Sequence, residues 1–460
     1  MNENTLTPMS LEDCIKQADE TKEFLLKPGA LEEIPGLLSK FFPSKAVCII
    51  ADENTMKAAG KRVKSILEDG KIKITGTHIF PGEPRLHADY NHVRFLKNLI
   101  ASFEGYPELV PIAVGSGTVN DLVKCTSHEL RLPYLCVPTA ASVDGFTPNG
   151  AALLMDGYKQ TLLCPAPLVL AADTEVIARA PSFLSSSGFG DLASKITAGT
   201  DWIVAEKAGE FGAPEAPPRD PIPWSMIQIG LMDNLHNSVN AAQGDADAIN
   251  TLFRSLAVTG FAMQYMKNSR CVSGGEHLFS HVWEMEDLSI NGVPVTHGHK
   301  VTIGTLALTA FTEIFFADPS GPPAVPKGFI RPGIEEREAE VSKAFEERPG
   351  HEGIIKKAKE KFMDNKKVEI INQAFRDSWK ELRATVLARL LPYKELKELL
   401  AKAGCPVLPE TIGLTRDYTI ATARRAQMMR NRYGVIDIAW DMGVFEVILA
   451  GMEKSDIYLR

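Results

Sequence analysis

The sequence predicts an α/β fold in which a parallel, Rossmann-like sheet in an N-terminal domain (residues 1–180) precedes a mostly α-helical C-terminal domain (residues 181–460). Three observations carry this prediction. Short β-rich runs alternate with helix-length segments over the first 180 residues, which implies a parallel sheet covered on both faces. Helical spacing of apolar residues dominates afterwards. The 460 residues are 45% hydrophobic, enough for two cores or more.

The individual elements follow from local patterns. Strands are predicted at 45–51, 72–80, 109–114, 134–138 and 168–172, and helices from about residue 55 and around 91–103. Helical spacing then continues through 227–266, 301–316, 335–345, 354–401 and 416–433. Two proline-rich stretches, 209–224 and 318–333, are excluded from helix interiors because proline lacks a backbone donor. The charge-dense segment 335–367 predicts a solvated helical face.

Charge and composition exclude several classes of protein. With 50 Lys+Arg against 58 Asp+Glu, the net charge of −8 is opposite to that of a nucleic-acid binder. Charges interrupt the N-terminal segment, which is therefore no secretory signal. The weakly polar run 301–317 is shorter than the roughly 20 residues that span a bilayer, and it predicts a buried helix. Seven scattered cysteines without a C-x-x-C pair favour a reducing cytoplasm.

A strand, a glycine-rich turn and a helix start follow one another at 111–124 (PIAVGSGTVNDLVK). Glycines let the backbone approach a phosphate closely, and the free N–H groups of a helix N-terminus favour an anion. Asn120 stands where the third glycine of G-x-G-x-x-G would be. On this motif alone, a nucleotide-phosphate turn and a plain strand-to-helix turn remain equal alternatives.

Two further strand ends place polar residues at the same predicted sheet edge. Asp52 follows the first predicted strand, where a carboxylate can accept both ribose hydroxyls of an adenosine and would repel a 2′-phosphate. A helix N-cap before Thr55 is the alternative role for Asp52. Thr139, Ser142 and Asp144 follow a later strand. Ligands of open α/β sheets bind along this edge, so these residues are candidate ligand contacts.

Histidines concentrate in one part of the helical half, where four of the ten lie between residues 277 and 299. His277 and His281 are four residues apart and would share one helix face. Together with Asp191, His277 and His297 would provide a carboxylate and two imidazoles, the pattern of a catalytic divalent site with open positions. A packed or surface histidine pair is the alternative. Lys195 shares a predicted helix face with Asp191, where it would hold a substrate phosphate or simply pair with Asp191.

These pieces together resemble the sn-glycerol-1-phosphate dehydrogenase family, within the dehydroquinate synthase-like and iron-containing alcohol dehydrogenase superfamily. The resemblance is carried by ADENT (51–55), GSGTVND (115–121), PTAASVDGF (138–146), SGFGDLASK (187–195), SGGEHLFSHVWEM (273–285) and HGHKVTIGTL (297–306). It extends to PETIGLTRDY (409–418) and RNRYGVIDIA (430–439), and is strongest with the bacterial branch linked to arabinose operons. It implies a dehydroquinate synthase-like fold.

The resemblance also implies the ligands of each site. Asp191, His277 and His297 would bind one divalent ion (Zn, Ni or Fe), and the cofactor would be NAD, with NADP also possible. The implied cofactor contacts are Asp52, Gly115, Ser116, Gly117, Thr118, Val119, Thr139, Ala140, Ala141 and Ser142. The implied substrate contacts are Asp144, Asp191, His281 and Arg270. Pro148 replaces a serine usual in the family, Cys271 replaces a proline, and Val143 stands where some members have histidine.

The implied reaction is the reversible reduction of dihydroxyacetone phosphate to sn-glycerol 1-phosphate, in phospholipid metabolism, by a cytoplasmic homo-oligomer (dimer or larger). Asp144, His281 and Lys195 are the catalytic candidates. His281 would relay a proton because an imidazole titrates near neutral pH, with water or a ribose hydroxyl as alternatives. Lys195 or Arg270 would hold the substrate phosphate. The alternatives are a 3-dehydroquinate synthase-like lyase, whose relatives usually carry Glu at the Asp191 position, a glycerol or alcohol dehydrogenase, and a catalytically silent binding protein.

Overall fold

Six parallel strands form the central sheet of the computed structural model, which describes residues 3–155, 158–346, 348 and 350–460. In chain order, the strands are β1 (Glu23–Lys27), β2 (Ala46–Asp52), β3 (Ile74–Phe80), β4 (Leu109–Gly115), β5 (Leu135–Pro138), β6 (Gly150–Met155), β7 (Tyr158–Leu163), β8 (Val169–Asp173), β9 (Ser289–Ile290) and β10 (Val293–Pro294). The central sheet has the order β1-β8-β5-β4-β2-β3, while β6–β7 and β9–β10 are separate antiparallel pairs.

The strand order places a ligand crevice at one edge of the sheet. The chain runs from β2 outward to β3 and then returns to the other side of β2 with β4, so the direction of winding reverses between β2 and β4. Open α/β sheets bind ligands at the carboxyl ends of the strands where this reversal occurs. Here those ends are Asp52 of β2 and Gly115 of β4.

Helices cover both faces of the sheet. Those of the first 180 residues are α1 (Leu11–Gln17), α2 (Ile34–Phe41), α3 (Glu53–Thr55), α4 (Lys61–Asp69), α5 (Tyr90–Ser102), α6 (Gly117–Leu130) and α7 (Thr174–Ala178), with single turns at Glu3–Thr5, Ala30–Glu33 and Met56–Gly60. Val47 and Ile49 of β2 pack in the core that contains α2 and α4, whereas Cys48 and Ile50 pack in the core that contains α5 and α6. Burial on both faces explains the continuous apolar runs of these strands.

The remaining described residues are mostly helical. The helices are α8 (Ser182–Ala193), α9 (Lys195–Gly209), α10 (Pro221–Ile227), α11 (Leu231–Ser238), α12 (Ala246–Met266), α13 (Gly275–Met285), α14 (His297–Phe315), α15 (Ile334–Ala344), α16 (His351–Lys361), α17 (Asn365–Asp377), α18 (Trp379–Arg389), α19 (Tyr393–Lys402), α20 (Arg416–Met428), α21 (Val435–Asp441) and α22 (Phe445–Lys454), with 3₁₀ turns at Ala241–Gln243 and Pro409–Ile412. The predicted buried helix is α14. In the described part of the chain, no helix is both long and apolar enough to cross a membrane.

The five predicted strands are all present and parallel, but the prediction missed β1 and the β6–β7 hairpin. β1 has only five residues, and its place in the sheet depends on pairing with β8, which lies far away in the sequence. Such a short apolar run cannot be assigned by periodicity alone. Residues 156–157, between β6 and β7 in the sequence, lie outside the described residues.

Two expectations for the second half need correction. The segment 335–367 is not simply a solvated face, because Arg337 and Lys361 are buried. Lys361 Nζ lies 2.7 Å from Asp437 Oδ1, so α16 is tied to the C-terminal part by a buried ion pair, and Arg337 of α15 donates to the Gln427 side chain. The proline-rich stretch 209–224 includes the start of α10, whose first residue is Pro221. Proline is tolerated there because the first turn has no intrahelical partner for its missing donor.

The N-terminal segment packs against the helical half. Glu3 pairs with Arg219 at 2.6 Å, and the backbone amides of Glu20 and Thr21 donate to the Gln264 side chain at 3.3 Å. The segment before β1 thus lies with the helices although it precedes the sheet in sequence. The division at residue 180 therefore remains a prediction.

Candidate metal and nucleotide site

The predicted carboxylate and two imidazoles converge from three helices. Asp191 of α8, His277 of α13 and His297 at the start of α14 each offer one ligand atom, and these atoms lie within 4.8 Å of one another. His277 Nε2 is 3.7 Å from Asp191 Oδ1, and the two imidazole centroids are 5.5 Å apart. These three residues are far apart in the sequence, and the packing of their helices brings them together.

Close packing of α8 on α14 depends on two glycines. A Cβ added to Gly190 would lie 1.9 Å from Thr302 Oγ1, and one added to Gly298 would lie 1.8 Å from the Ser187 carbonyl oxygen. Only glycine allows backbones to approach this closely. Gly190, which precedes Asp191, and Gly298, which follows His297, therefore allow these two candidate ligands to approach each other.

Two buried carboxylates orient the imidazoles. His277 Nδ1 lies 2.8 Å from Glu276 Oε1, and His297 Nδ1 lies 2.7 Å from Glu284 Oε1. Engaging Nδ1 in this way leaves Nε2 of each ring for the centre of the cluster, as in carboxylate–histidine–metal arrangements. The sequence prediction missed both glutamates. For Glu284, spacing placed it three residues after His281 on the same helix face, but spacing alone does not distinguish a partner of histidine from a solvated glutamate.

The site is built to hold a cation. Burial opposes ionisation of Asp191, but the Lys195 ammonium and the His277 hydrogen bond outweigh it and hold the pKa of Asp191 below its usual range. Burial likewise opposes ionisation of Glu284, yet Lys159, Lys300 and His297 hold its pKa well below the ordinary value. Burial lowers the pKa of His297 despite the Glu284 carboxylate, which favours the neutral ring that a metal ion requires.

His281 lies in the same cluster but has an unexpected electrostatic character. Its ring centroid is 6.3 Å from those of His277 and His297, and its Nδ1 lies 3.0 Å from Glu284 Oε2. Burial lowers the pKa of His281 to about 3, although Glu284 opposes the shift. Burial therefore disfavours the charged form of this imidazole, and its predicted role as a proton relay stays a prediction. Its contact with substrate remains a prediction.

Lys195 is fully buried between two carboxylates. Its Nζ lies 2.9 Å from Asp191 Oδ1 and 2.8 Å from Asp144 Oδ2, and the Asp144 amide donates to Asp191 Oδ2 at 2.9 Å. The ion pair considered as the alternative is thus present. Lys195 does not line the cavity, and its predicted contact with a substrate phosphate stays a prediction.

Replacing Lys195 with methionine is expected to lower the free energy of unfolding by about 3–5 kcal/mol, because the buried Asp191 and the partly buried Asp144 would lose their shared cation. Chemical denaturation would measure the change. Lys207→Met is the matched control on the same helix, since its partly exposed pair with Glu210 contributes about 0.5 kcal/mol or less. Equal effects of the two substitutions would contradict the buried-pair explanation.

Arg270, the other predicted phosphate contact, is also buried outside the cavity. Its Nη2 donates to the Asp201 carbonyl oxygen at 3.1 Å, while Nε and Nη1 find no hydrogen-bond partner among the described residues. Arg270 thus lies behind the cavity wall, and its predicted contact with the substrate phosphate stays a prediction.

A cavity of about 460 Å³ joins the metal cluster to the sheet edge. Its walls include His277, His281 and His297 from the helical half and Ser116, Gly117, Thr118, Ser142 and Asp144 from the sheet half. An adjoining groove of about 670 Å³ is lined by Asp52 and Thr139 and shares Ser116 and Thr118 with the cavity. Gly115, Val119, Ala140 and Ala141 are buried behind these walls. The two spaces meet at the N-terminus of α6.

The N-terminus of α6 is open to a ligand. Ser116 occupies the N-cap position in extended conformation, and no side chain caps the first amides. Such a helix start attracts a phosphate. Asp52 is itself an N-cap, with Oδ1 accepting from the amides of Asn54 at 2.8 Å and Thr55 at 2.9 Å. The capping alternative is therefore present, and the second carboxylate oxygen is outside that cap.

Asn120 and Lys124 hold the loop that presents Asp144. Asn120 Nδ2 donates to the carbonyl oxygens of Gly145 and Phe146 at 3.1 and 3.3 Å. Lys124 Nζ donates to the carbonyl oxygens of Gly145 and Gly150, each at 2.9 Å. This explains why the third glycine position of the turn carries asparagine, a role that the motif did not predict.

Comparison with known proteins agrees with this architecture. The family model described as iron-containing alcohol dehydrogenase matches residues 25–181. A glycerol-1-phosphate dehydrogenase [NAD(P)+] of Bacillus velezensis is 34% identical over 61% of this chain and 69% of that protein. One from Geobacillus stearothermophilus is 28% identical over 85% of each.

Among solved structures, a probable glycerol dehydrogenase from Sinorhizobium meliloti superposes with a TM-score of 0.59 at 14% identity, covering 94% of this chain and 97% of the other. This likeness confirms the predicted fold class. The sequence relatives have a higher identity to this chain than the solved structure does, and their names identify the family. The chain belongs to the glycerol-1-phosphate dehydrogenase family.

Proposed function

We propose that this protein reversibly reduces dihydroxyacetone phosphate to sn-glycerol 1-phosphate, using a divalent ion and NAD or NADP. The observation that carries the proposal is the convergence of Asp191, His277 and His297 within one cavity that reaches the N-terminus of α6. Three candidate metal ligands and a helix start suited to a phosphate lie in one cavity, as a reaction that needs both a divalent ion and a dinucleotide would require. The names of the relatives support the same reaction.

The donor set fits a divalent ion. One ionised carboxylate and two neutral imidazoles suit Zn, Ni or Fe and leave positions open for substrate. When bound, such an ion supplies Lewis acidity that polarises a ketone, and a nicotinamide supplies the hydride. Glu276 and Glu284 would keep the imidazoles aimed at the ion.

The chain's other residues would position the reactants. Amides at the start of α6, with Ser116 and Thr118, would hold the cofactor pyrophosphate. Asp52 would contact the adenosine ribose through the oxygen that does not cap the helix, which favours NAD over NADP. Asp144 and His281 line the cavity beside the metal cluster, where they would contact substrate.

The proposal also covers the cellular location, the oligomeric state and the domain division of the enzyme. We expect a cytoplasmic homo-oligomer, dimer or larger, whose domains divide near residue 180. Size-exclusion chromatography with light scattering would measure the oligomeric state, and a monomer at micromolar concentration would contradict this part.

A kinetic assay with product analysis tests the reaction. Protein loaded separately with Zn, Ni or Fe should oxidise NADH stoichiometrically with dihydroxyacetone phosphate, and the product should resist a dehydrogenase specific for sn-glycerol 3-phosphate. Chelation should abolish the turnover and re-addition of the ion should restore it. Equal kcat/KM for dihydroxyacetone and its phosphate would favour a glycerol dehydrogenase. Phosphate release from a seven-carbon acid phosphate without net NADH oxidation would favour the lyase.

A further inference from the structure

Two arginines line the metal-site cavity from the connector between α20 and α21. Arg432 donates from Nη2 to Ser269 Oγ at 2.9 Å and from Nη1 to the Ser273 carbonyl oxygen. Arg430 lines the same cavity and has no ion pair or hydrogen bond within the described part of the chain. Neither guanidinium therefore forms an ion pair with a carboxylate among the described residues, although both line the cavity.

Two other cations of this cavity have carboxylate partners. Lys159 Nζ lies 2.8 Å from Glu284 Oε2, and Lys267 Nζ lies 2.7 Å from Asp19 Oδ1. Arg85 forms no ion pair among the described residues and donates to the Pro294 carbonyl oxygen, but it also lines the adjoining groove with Asp52. Arg430 and Arg432 are thus the cations without a carboxylate partner that line the metal-site cavity and not the groove.

The electrostatic strain at Arg432 supports an anion at this position. Burial lowers the pKa of Arg432 to about 9, and repulsion from Arg270 and Arg430 contributes further. A dianion would relieve this repulsion, and planar guanidinium groups match phosphate oxygens in paired hydrogen bonds.

The location favours the substrate over the cofactor. Arg430 and Arg432 lie in the cavity that contains His277 and His297, and Arg430 is near enough to His281 to act on its charge. Neither arginine lines the adjoining groove that contains Asp52. The serines that hold Arg432 belong to the loop that leads into the metal-bearing helix α13, so its guanidinium is fixed relative to the metal cluster.

We propose that Arg430 and Arg432 bind the phosphate group of the three-carbon substrate, with Arg432 held in place by the 269–273 loop and Arg430 free to close on the ligand. This inference rests on the proposed function and assigns the phosphate contact to residues that line the cavity, which Lys195 and Arg270 do not. It makes these arginines the determinants of preference for a phosphorylated ketone over an unphosphorylated one.

Substitution to glutamine tests the inference. In Arg430→Gln and Arg432→Gln, kcat/KM for dihydroxyacetone phosphate should fall by about ten- to a hundred-fold, mainly through KM, because each loses a charge-assisted contact. The kcat/KM for dihydroxyacetone and the KM for NADH should change by less than about two-fold. Inorganic phosphate, the probe, should compete with substrate in the wild type and lose this effect in both variants. Arg424→Gln is the matched control, because its partner Glu446 lies on the exposed surface of α20 and α22.

The outcomes separate this inference from the proposed function. Equal loss of kcat/KM for both ketones, or unchanged inhibition by inorganic phosphate, would overturn the arginine assignment while leaving the dehydrogenase in place. Should the wild type reduce no ketone, the proposed function would fail. The phosphate site would still be supported if inorganic phosphate raised the Tm of the wild type and of Arg424→Gln, but not that of Arg430→Gln or Arg432→Gln. An equal change in the Tm of all four proteins would overturn it. The Arg430→Gln variant keeps the Tm experiment decisive, because Arg430 makes no described hydrogen bond whose loss would unfold the protein.

Discussion

Replacing His297 with alanine is expected to remove the divalent ion and to lower ketone reduction by about a thousand-fold or more. The ion's Lewis acidity contributes several kcal/mol to the transition state, and each 1.4 kcal/mol corresponds to about ten-fold in rate. His297 provides one of three ligand atoms that lie within 4.8 Å of one another, so its loss leaves only Asp191 and His277. Metal content by mass spectrometry and initial rates with dihydroxyacetone phosphate measure the two effects.

His299 provides the matched control for His297. It lies two residues along the same helix, but its Nε2 is 2.9 Å from Ser186 Oγ, outside the metal cluster. His299→Ala should therefore keep its ion and most of its activity. Loss of the ion in both variants, or in His299→Ala alone, would contradict the assignment of His297 as the ligand. Far-ultraviolet circular dichroism and Tm identify any loss that is due to unfolding.

Replacing Glu284 with glutamine is expected to weaken metal binding by about ten- to a hundred-fold. The carboxylate accepts from His297 Nδ1 at 2.7 Å and from His281 Nδ1 at 3.0 Å, and it pairs with Lys159 at 2.8 Å. An amide keeps the shape but can no longer accept through both ends or balance the lysine charge. Competition with a chelator of known affinity measures the change without relying on turnover.

Glu286→Gln is the corresponding control, two residues further along. Glu286 accepts from Tyr418 at 2.5 Å and pairs with Arg425, away from the metal cluster. Its substitution should leave metal affinity within about two-fold of the wild type, since no ligand depends on it. An unchanged metal dissociation constant in Glu284→Gln would show that the imidazoles are held by packing alone, contrary to the role inferred for Glu284.

Motif spacing led to three residues that the structure brings together as candidate metal ligands, because divalent sites restrict ligand types severely. Asp191, His277 and His297 could be selected from sequence since few histidines are available and glycines flank the two key segments. Glu284 could not be selected, because a glutamate on a helix is usually a solvated residue and only its packing reveals the two imidazoles that it contacts.

For the phosphate contact, in contrast, the residues chosen from the sequence are not those that line the cavity. Lys195 and Arg270 were chosen because they are cationic and near the motifs, yet both side chains are buried outside the cavity. Arg430 and Arg432 lie in a segment more than 130 residues after the last metal residue, His297. Nothing in their local pattern indicates that they return to the cavity, because this depends on how α20 packs beside α13.

Local chemistry was thus determined by the sequence alone: the parallel strands, the glycine turn before α6, and the residue types that bind a metal ion. These follow from periodicity and from side-chain chemistry, which act over a few residues. The tertiary structure alone decided which charges face the ligand and which pair with each other inside the protein. Lys195 is enclosed by two carboxylates whereas Arg430 is left without one, and this difference arises from contacts between helices that are distant in the chain. Burial and pairing are properties of that packing, so no local pattern can supply them.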